Sequence, residues 1–220
     1  MTPNDQHPLR RDTLLTHVGG APADRHGAVN PPVYRASTIL FPTVAEWEAS
    51  RVHANRFKVL RYGQLGTPTT FALEEAIAML EGGYRAMLLP SGLAAATTAL
   101  LALLETGDHL LMTDSAYQPT RHFARVILAR YGITTTFYDP RVGAGIEALM
   151  RPETRVVFLE SPGSITFEVQ DLPAITKVAH AHDALVAIDN TWATPYFFPA
   201  MQLGADVSIE AVGAPETFEL

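Results

Sequence analysis

The feature that most constrains this chain is a run of short apolar segments alternating with helical patterns along most of its length. The apolar runs are Ala86 to Leu89, His109 to Met112, Ile133 to Tyr138, Val156 to Leu159, Leu185 to Ile188 and Ala205 to Ile209. Between them, helical patterns cover Leu93 to Leu104, Pro119 to Arg130, Ile146 to Met150 and Leu172 to His182. This alternation predicts an α/β fold, a mostly parallel sheet covered by helices on both faces. Sheets of that kind bind ligands at the carboxyl ends of their strands. Here those ends carry Pro90-Ser91-Gly92, Asp114 to Tyr117, Glu160-Ser161-Pro162 and Asp189 to Trp192.

Upstream the pattern differs. The segment that includes Pro22, Pro31, Pro32 and Pro42 has little sustained periodicity, which predicts an extended arm with a short helix at Val44 to Val52. From Thr67 onward, Phe71, Leu73, Ala76, Ile77 and Leu80 recur at helical spacing, and Gly82-Gly83 is the stop signal. The organisation read from this is an arm over residues 1–60 and a sheet-forming domain over residues 61–220.

Composition removes several function classes. The 220 residues hold 16 Lys+Arg against 23 Asp+Glu, a net charge of −7 with no basic run, so the field should repel nucleic-acid backbones. The absence of cysteine rules out disulfides, thiolate metal sites and cysteine nucleophiles. Among the 8 histidines, His180 and His182 are two apart and leave a helix in different directions, so no metal site is expected. The longest apolar-rich stretch, Leu93 to Leu104, is too short for a membrane span, which takes about 20 residues. Met1 to Arg11 is polar with no apolar stretch behind it, which predicts a cytoplasmic location. Only Lys58 and Lys177 are lysines, so a mechanism that needs a lysine amine has two candidates.

Four places can carry chemistry. Ser91-Gly92-Leu93 follows a strand and opens a helix, where backbone N–H groups and the helix dipole suit a phosphate. The same residues also make an ordinary serine N-cap. Asp189 closes the run Leu185 to Ile188, where a carboxylate could hold a protonated ring nitrogen or cap the turn through Asn190 and Thr191. Tyr117 could stack on a planar cofactor or pack locally with a wet hydroxyl. Gly143-Ala144-Gly145-Ile146-Glu147-Ala148 fits the loose G-x-G-x-x-A dinucleotide pattern, with Glu160 near the offset for a ribose ligand. Its context argues against it, because Pro140-Arg141-Val142 separates the glycines from the preceding strand.

Six ordered motifs together resemble the Cys/Met-metabolism family of pyridoxal 5′-phosphate (PLP) enzymes. They are Tyr62-Gly63-x-x-Gly66-Thr67-Pro68-Thr69, Glu81-Gly82-Gly83, Ser91-Gly92-Leu93-Ala94, Asp114-x-x-Tyr117, Glu160-Ser161-Pro162-Gly163-Ser164 and Asp189-Asn190-Thr191-Trp192. The stretch Glu160 to Val169 is similar to the bacterial cystathionine β-lyase branch, and the resemblance runs from about Asp12 to Ala211. It implies the large domain of a fold type I PLP enzyme, with Gly92 and Leu93 on the cofactor phosphate, Tyr117 on the ring and Asp189 on the ring nitrogen. Ser91 and Thr191 join them as cofactor-binding positions. Tyr62 matches a tyrosine lent to the neighbouring subunit's phosphate, which implies a homo-oligomer, and Gln64 stands where relatives often have an arginine.

The implied activity is carbon–sulfur lysis, in which cystathionine gives homocysteine, pyruvate and ammonia. That chemistry uses a Schiff-base lysine in a Thr-Lys-Tyr step, and by spacing Gly213 and Ala214 stand at the threonine and lysine positions. Residues Gly213 to Leu220 look unlike the family, and relatives carry a further C-terminal domain. The expectation is therefore an incomplete, catalytically impaired lyase. A non-catalytic remnant that binds cofactor or partner chains, and a nicotinamide oxidoreductase, are the alternatives.

Overall fold

The computed structural model describes residues 10–20, 26–51 and 59–212. Lys58 and the segment containing Gly213 and Ala214 lie outside the described residues. The chain divides into two compact units, Met1–Leu88 and Leu89–Leu220. Among the described residues no helix is long and apolar enough to cross a membrane.

The first unit holds helices α1 (Arg11–His17), α2 (Val44–Ala49) and α3 (Pro68–Glu81). Helix α1 is an addition to the arm, for which the sequence predicts one short helix at Val44 to Val52. It has no buried residue to give an apolar period, but Asp12 in its first turn and His17 in its last complement the helix dipole. Helix α2 opens on Thr43, whose hydroxyl accepts from the Glu46 N–H, and stops at Ala49, three residues before the expected Val52. There the Ser50 hydroxyl donates to the Trp47 carbonyl at 2.6 Å. Helix α3 starts with a capping box between Thr67 and Thr70 and ends on Gly82 at φ 70°, the left-handed position that glycine fills without strain. The arm lies against its first turn: Thr69 Oγ1 accepts from the Tyr34 N–H at 2.9 Å and donates to the Pro32 carbonyl at 2.7 Å.

The second unit is a parallel sheet of β1 (His109–Thr113), β2 (Thr134–Tyr138), β3 (Thr154–Glu160), β4 (Leu185–Asp189) and β5 (Val207–Ile209), in the order β2-β1-β3-β4-β5. Side chains alternate across the pleat, so β1, β3 and β4 each feed two cores. Leu110, Met112, Val156, Phe158 and Ala187 pack with Leu100 of α4 (Gly92–Leu103) and with Leu128. Leu111, Val157, Leu159, Val186 and Ile188 pack on the other face with Leu172 and Ile175 of α6 (Leu172–Ala181). Helix α5 (Gln118–His122) runs on through a π-helical stretch, Phe123–Leu128, and α7 (Thr194–Phe197) is a single short turn after β4.

The α/β architecture with a parallel sheet is as expected. Two local readings change. Ala86 to Leu89 is not a strand, because its residues enter no ladder among the described residues, and the Leu88 N–H instead donates to Glu74 Oε1 at 3.2 Å. The expected helix Ile146 to Met150 is a 3-10 helix over Gly143–Leu149. The G-x-G-x-x-A stretch therefore lies in that tight helix, and it lacks the strand-to-α-helix junction that a dinucleotide site needs. His180 and His182 engage different partners, Asp206 at 2.9 Å and Glu147 at 2.8 Å.

Candidate active site at the strand carboxyl ends

The strand order reverses direction between β1 and β3, the kind of place where a parallel sheet takes its ligands, and here the segments after these two strands are tied together by the Ser164 N–H on the Ser115 carbonyl at 2.9 Å. The carboxyl end of the sheet brings together most of the residues marked in the sequence. Ser91 caps α4, its hydroxyl accepting from the Ala94 N–H at 3.1 Å. The N-terminus of this 12-residue helix, with Ser91 and Leu93 exposed, presents N–H groups and a positive dipole end to solution.

Gly92 is held close. A Cβ there would lie 2.5 Å from the Cβ of Ala211, so only glycine lets the helix start approach the segment after β5. That segment is pinned in turn: the Ala211 N–H donates to Thr191 Oγ1 at 2.9 Å. The Thr191 N–H donates to Asp189 Oδ1 at 3.1 Å. Gly92, Ala211, Thr191 and Asp189 thus form one continuous line of contacts, which joins a helix N-terminus to a carboxylate.

Burial pushes the Asp189 carboxyl above its ordinary value, and the hydrogen bonds from Thr191 pull it part of the way back. Asp189 stands beside Glu160 in the β3–β4 register. Glu160 is 4% exposed, and its Oε2 accepts the Tyr117 N–H at 2.6 Å. Burial and the neighbouring Asp189 charge push its carboxyl up to about 8, against the Tyr117 and Ser164 N–H groups and Arg121. Tyr117 is the N-cap of α5 and is 48% exposed, while its backbone N–H is tied to Glu160.

A carboxyl raised on folding stabilises the fold below its unfolded value, near pH 4.5, and that contribution is lost as pH rises towards 8. Glu160→Gln keeps an acceptor for Tyr117 and removes the ionisation. Its expected effect is a gain relative to the parent of about 2–4 kcal/mol more at pH 9 than at pH 5, read from urea unfolding at both pH values. An equal difference at the two would refute the raised carboxyl.

Tyr62 belongs to the first unit. It bridges Thr38 in antiparallel fashion, precedes the 3-10 turn Gly63–Leu65 and is 40% exposed. The adjacent Gly63 N–H donates to the Ser37 carbonyl at 2.7 Å, and a Cβ on Gly63 would meet the Ala36 carbonyl oxygen, so this turn too requires glycine. Lys177 lies exposed on α6, the helix that packs on the face of the sheet rather than at the carboxyl ends. Sequence reasoning gives Ala211 no role, and it includes Glu160 in a motif and at a strand end without assigning it a partner; the contacts of both join distant segments.

Comparison with known proteins places this geometry. A family model described as Cys/Met metabolism PLP-dependent enzyme matches residues 12–213. A Rhizobium johnstonii protein provisionally named a cystathionine β-lyase is 51% identical over 200 residues, 91% of this chain and 49% of that protein. A cystathionine β-lyase of Escherichia coli is 46% identical over 203 residues, 91% of this chain and 51% of the relative. The crystal structure of a cystathionine γ-lyase from Lactobacillus plantarum complexed with L-serine superposes with a TM-score of 0.83 at 32% identity, covering 93% of this chain and 51% of that one. The chain spans about half the length of the curated relatives it matches.

Proposed function

This chain belongs to the Cys/Met metabolism PLP-dependent enzymes, and on that premise we propose that its second unit is the PLP cradle of a carbon–sulfur lyase of the cystathionine β-lyase type. The observation that carries the reading is the line of contacts from Gly92 through Ala211 and Thr191 to Asp189. PLP has a phosphate on one side and a basic ring nitrogen on the other. The line offers a helix N-terminus for the first and a buried carboxylate for the second, so the donor set fits the group.

In this proposal the N–H groups of Gly92 and Leu93 hold the phosphate, and Ser91, whose hydroxyl accepts from Ala94, can still donate its own hydrogen there. Asp189 holds a proton on the ring nitrogen, which restores to the buried carboxylate the opposite charge that burial withholds. Thr191 orients Asp189 through its N–H and fixes the segment after β5 through its hydroxyl. Tyr117 covers the ring, and Tyr62 serves the phosphate of a neighbouring subunit in a homo-oligomer. Bound PLP supplies a sink for the electrons released when the substrate's α-proton is removed. The substrate is a thioether amino acid such as cystathionine, and the products are homocysteine, pyruvate and ammonia.

The 220 residues taken alone are proposed to bind PLP and turn over poorly. Lys177 is on the wrong element, and Ala214 stands at the position of the proton-carrying amine. The expected result is that PLP, and not NAD, raises the melting temperature of the chain. Borohydride followed by mass spectrometry should leave no lysine tagged, and cystathionine should give no pyruvate at an enzymic rate. Protection by NAD alone would overturn the cofactor reading in favour of a nicotinamide enzyme. A tagged lysine or normal pyruvate production would overturn the impairment.

A further inference from the structure

We infer that Glu160 is a positioning residue: from the strand beside Asp189 it holds the backbone of Tyr117, and so sets the tyrosine ring against the cofactor ring that Asp189 engages. The inference rests on the PLP reading above and adds to it a residue outside the set assigned there.

Three observations carry it. Glu160 is the last residue of β3 and the register partner of Asp189, the last of β4, so its place is fixed by the sheet ladder rather than by a loop. Its buried Oε2 receives the Tyr117 N–H at 2.6 Å, in the turn where the chain leaves β1 and enters α5. A backbone bond leaves the tyrosine side chain untouched, and that side chain remains half exposed, available for stacking.

The turn has further ties, some from groups that also act on Glu160. The Ser115 carbonyl accepts from the Ser164 N–H at 2.9 Å, Thr113 and Ser115 hydroxyls share a hydrogen bond at 2.9 Å, and Arg121 donates to the Asp114 carbonyl at 2.8 Å. Residue 117 is held on its carbonyl side by the Arg121 N–H at 3.1 Å, and on its N–H side by Glu160. The charged groups acting on Glu160 are Asp189 from β4 and Arg121 from α5. Burial, and after it the neighbouring Asp189 charge, favour the protonated form of Glu160.

The test is a double-mutant cycle read as the PLP dissociation constant, by quenching of intrinsic fluorescence, on chains of matched melting temperature. Tyr117→Ala and Glu160→Ala are each expected to weaken binding about tenfold, the scale of one stacking contact. The double variant should be no more than about twofold weaker than Tyr117→Ala alone, and Glu160→Gln, which keeps the acceptor, should restore binding to within about threefold. If Glu160→Ala does not fold, Glu160→Asp withdraws the carboxyl by one methylene, and the cycle is run with it. Weakening of equal size with and without the Tyr117 ring, or no weakening while the unmutated chain binds PLP, would overturn the inference. An unmutated chain that binds no PLP would overturn the cofactor reading, and this inference with it.

Discussion

Asp189→Asn is expected to weaken PLP binding by about 10–100-fold and, at pH 8, to raise the melting temperature of the cofactor-free chain. The two changes have opposite signs for one reason. Asp189 is a carboxylate held where burial disfavours its charge, with the Thr191 hydrogen bonds recovering only part of the cost. Asparagine keeps the Oδ1 that accepts from Thr191, so the turn after β4 is preserved and an unfavourable buried charge disappears. With PLP the balance reverses, because the ring nitrogen loses a charge-assisted partner of about 1.5–3 kcal/mol. PLP titration and thermal melts of the parent and the variant, with and without cofactor, check both halves. If the two quantities fall together, Asp189 is a structural cap and not the ring-nitrogen partner.

The second large effect is expected at Gly92. Gly92→Val places a branched side chain where even a Cβ lies 2.5 Å from Ala211, and neither neighbour can retreat freely. Ala211 is tied by its N–H to Thr191, which is tied to Asp189, while Gly92 begins a helix whose cap is already set by Ser91. Overpacking of this kind costs about 1–3 kcal/mol. PLP affinity should fall with it, because moving either side alters the phosphate cradle and the Asp189 turn together. Ala211→Gly removes the opposing methyl, so Gly92→Ala combined with Ala211→Gly should recover most of the stability that Gly92→Ala loses. Failure of that rescue in urea unfolding would place the constraint elsewhere than at the contact between these two residues.

The legibility of the chain in its sequence divides along physical lines. Strands β1, β3 and β4 are runs of five to seven residues with both faces buried, and such runs stand out in any sequence. The run Ala86 to Leu89 has the same composition, yet strand formation depends on a hydrogen-bonding neighbour, which composition does not record. Helix α1 escaped notice because seven residues with none buried leave no period to detect.

The site divides in the same way. Tyr117, Asp189 and Thr191 follow β1 and β4, where a parallel sheet presents its ligands, whereas Ser91 and Gly92 open α4 after a run that forms no strand. The N-cap meaning of Ser91 is the one the structure shows, its hydroxyl accepting from the Ala94 N–H at 3.1 Å. What joins these residues was not legible: Tyr117 and Glu160 are 43 residues apart, and Thr191 and Ala211 are 20 apart. Contacts over such separations arise from the register of the ladders, which no local pattern encodes.

The ladder between β4 and β5 has a consequence in time as well as in space. It joins only Ala187 to Val207, Ile188 to Ser208 and Asp189 to Ile209, continued by the Asn190 N–H on the Ile209 carbonyl at 2.8 Å. The partners in it are parallel and therefore cannot be brought together by a tight hairpin; a loop must close first, at an entropic cost repaid only when the strand docks. Ala211 reaches Thr191 and Gly92 only after that docking. If β5, the shortest strand among the described residues, docks after the others, a chain with the rest of its sheet in place would still lack the contacts that join Gly92, Ala211 and Thr191.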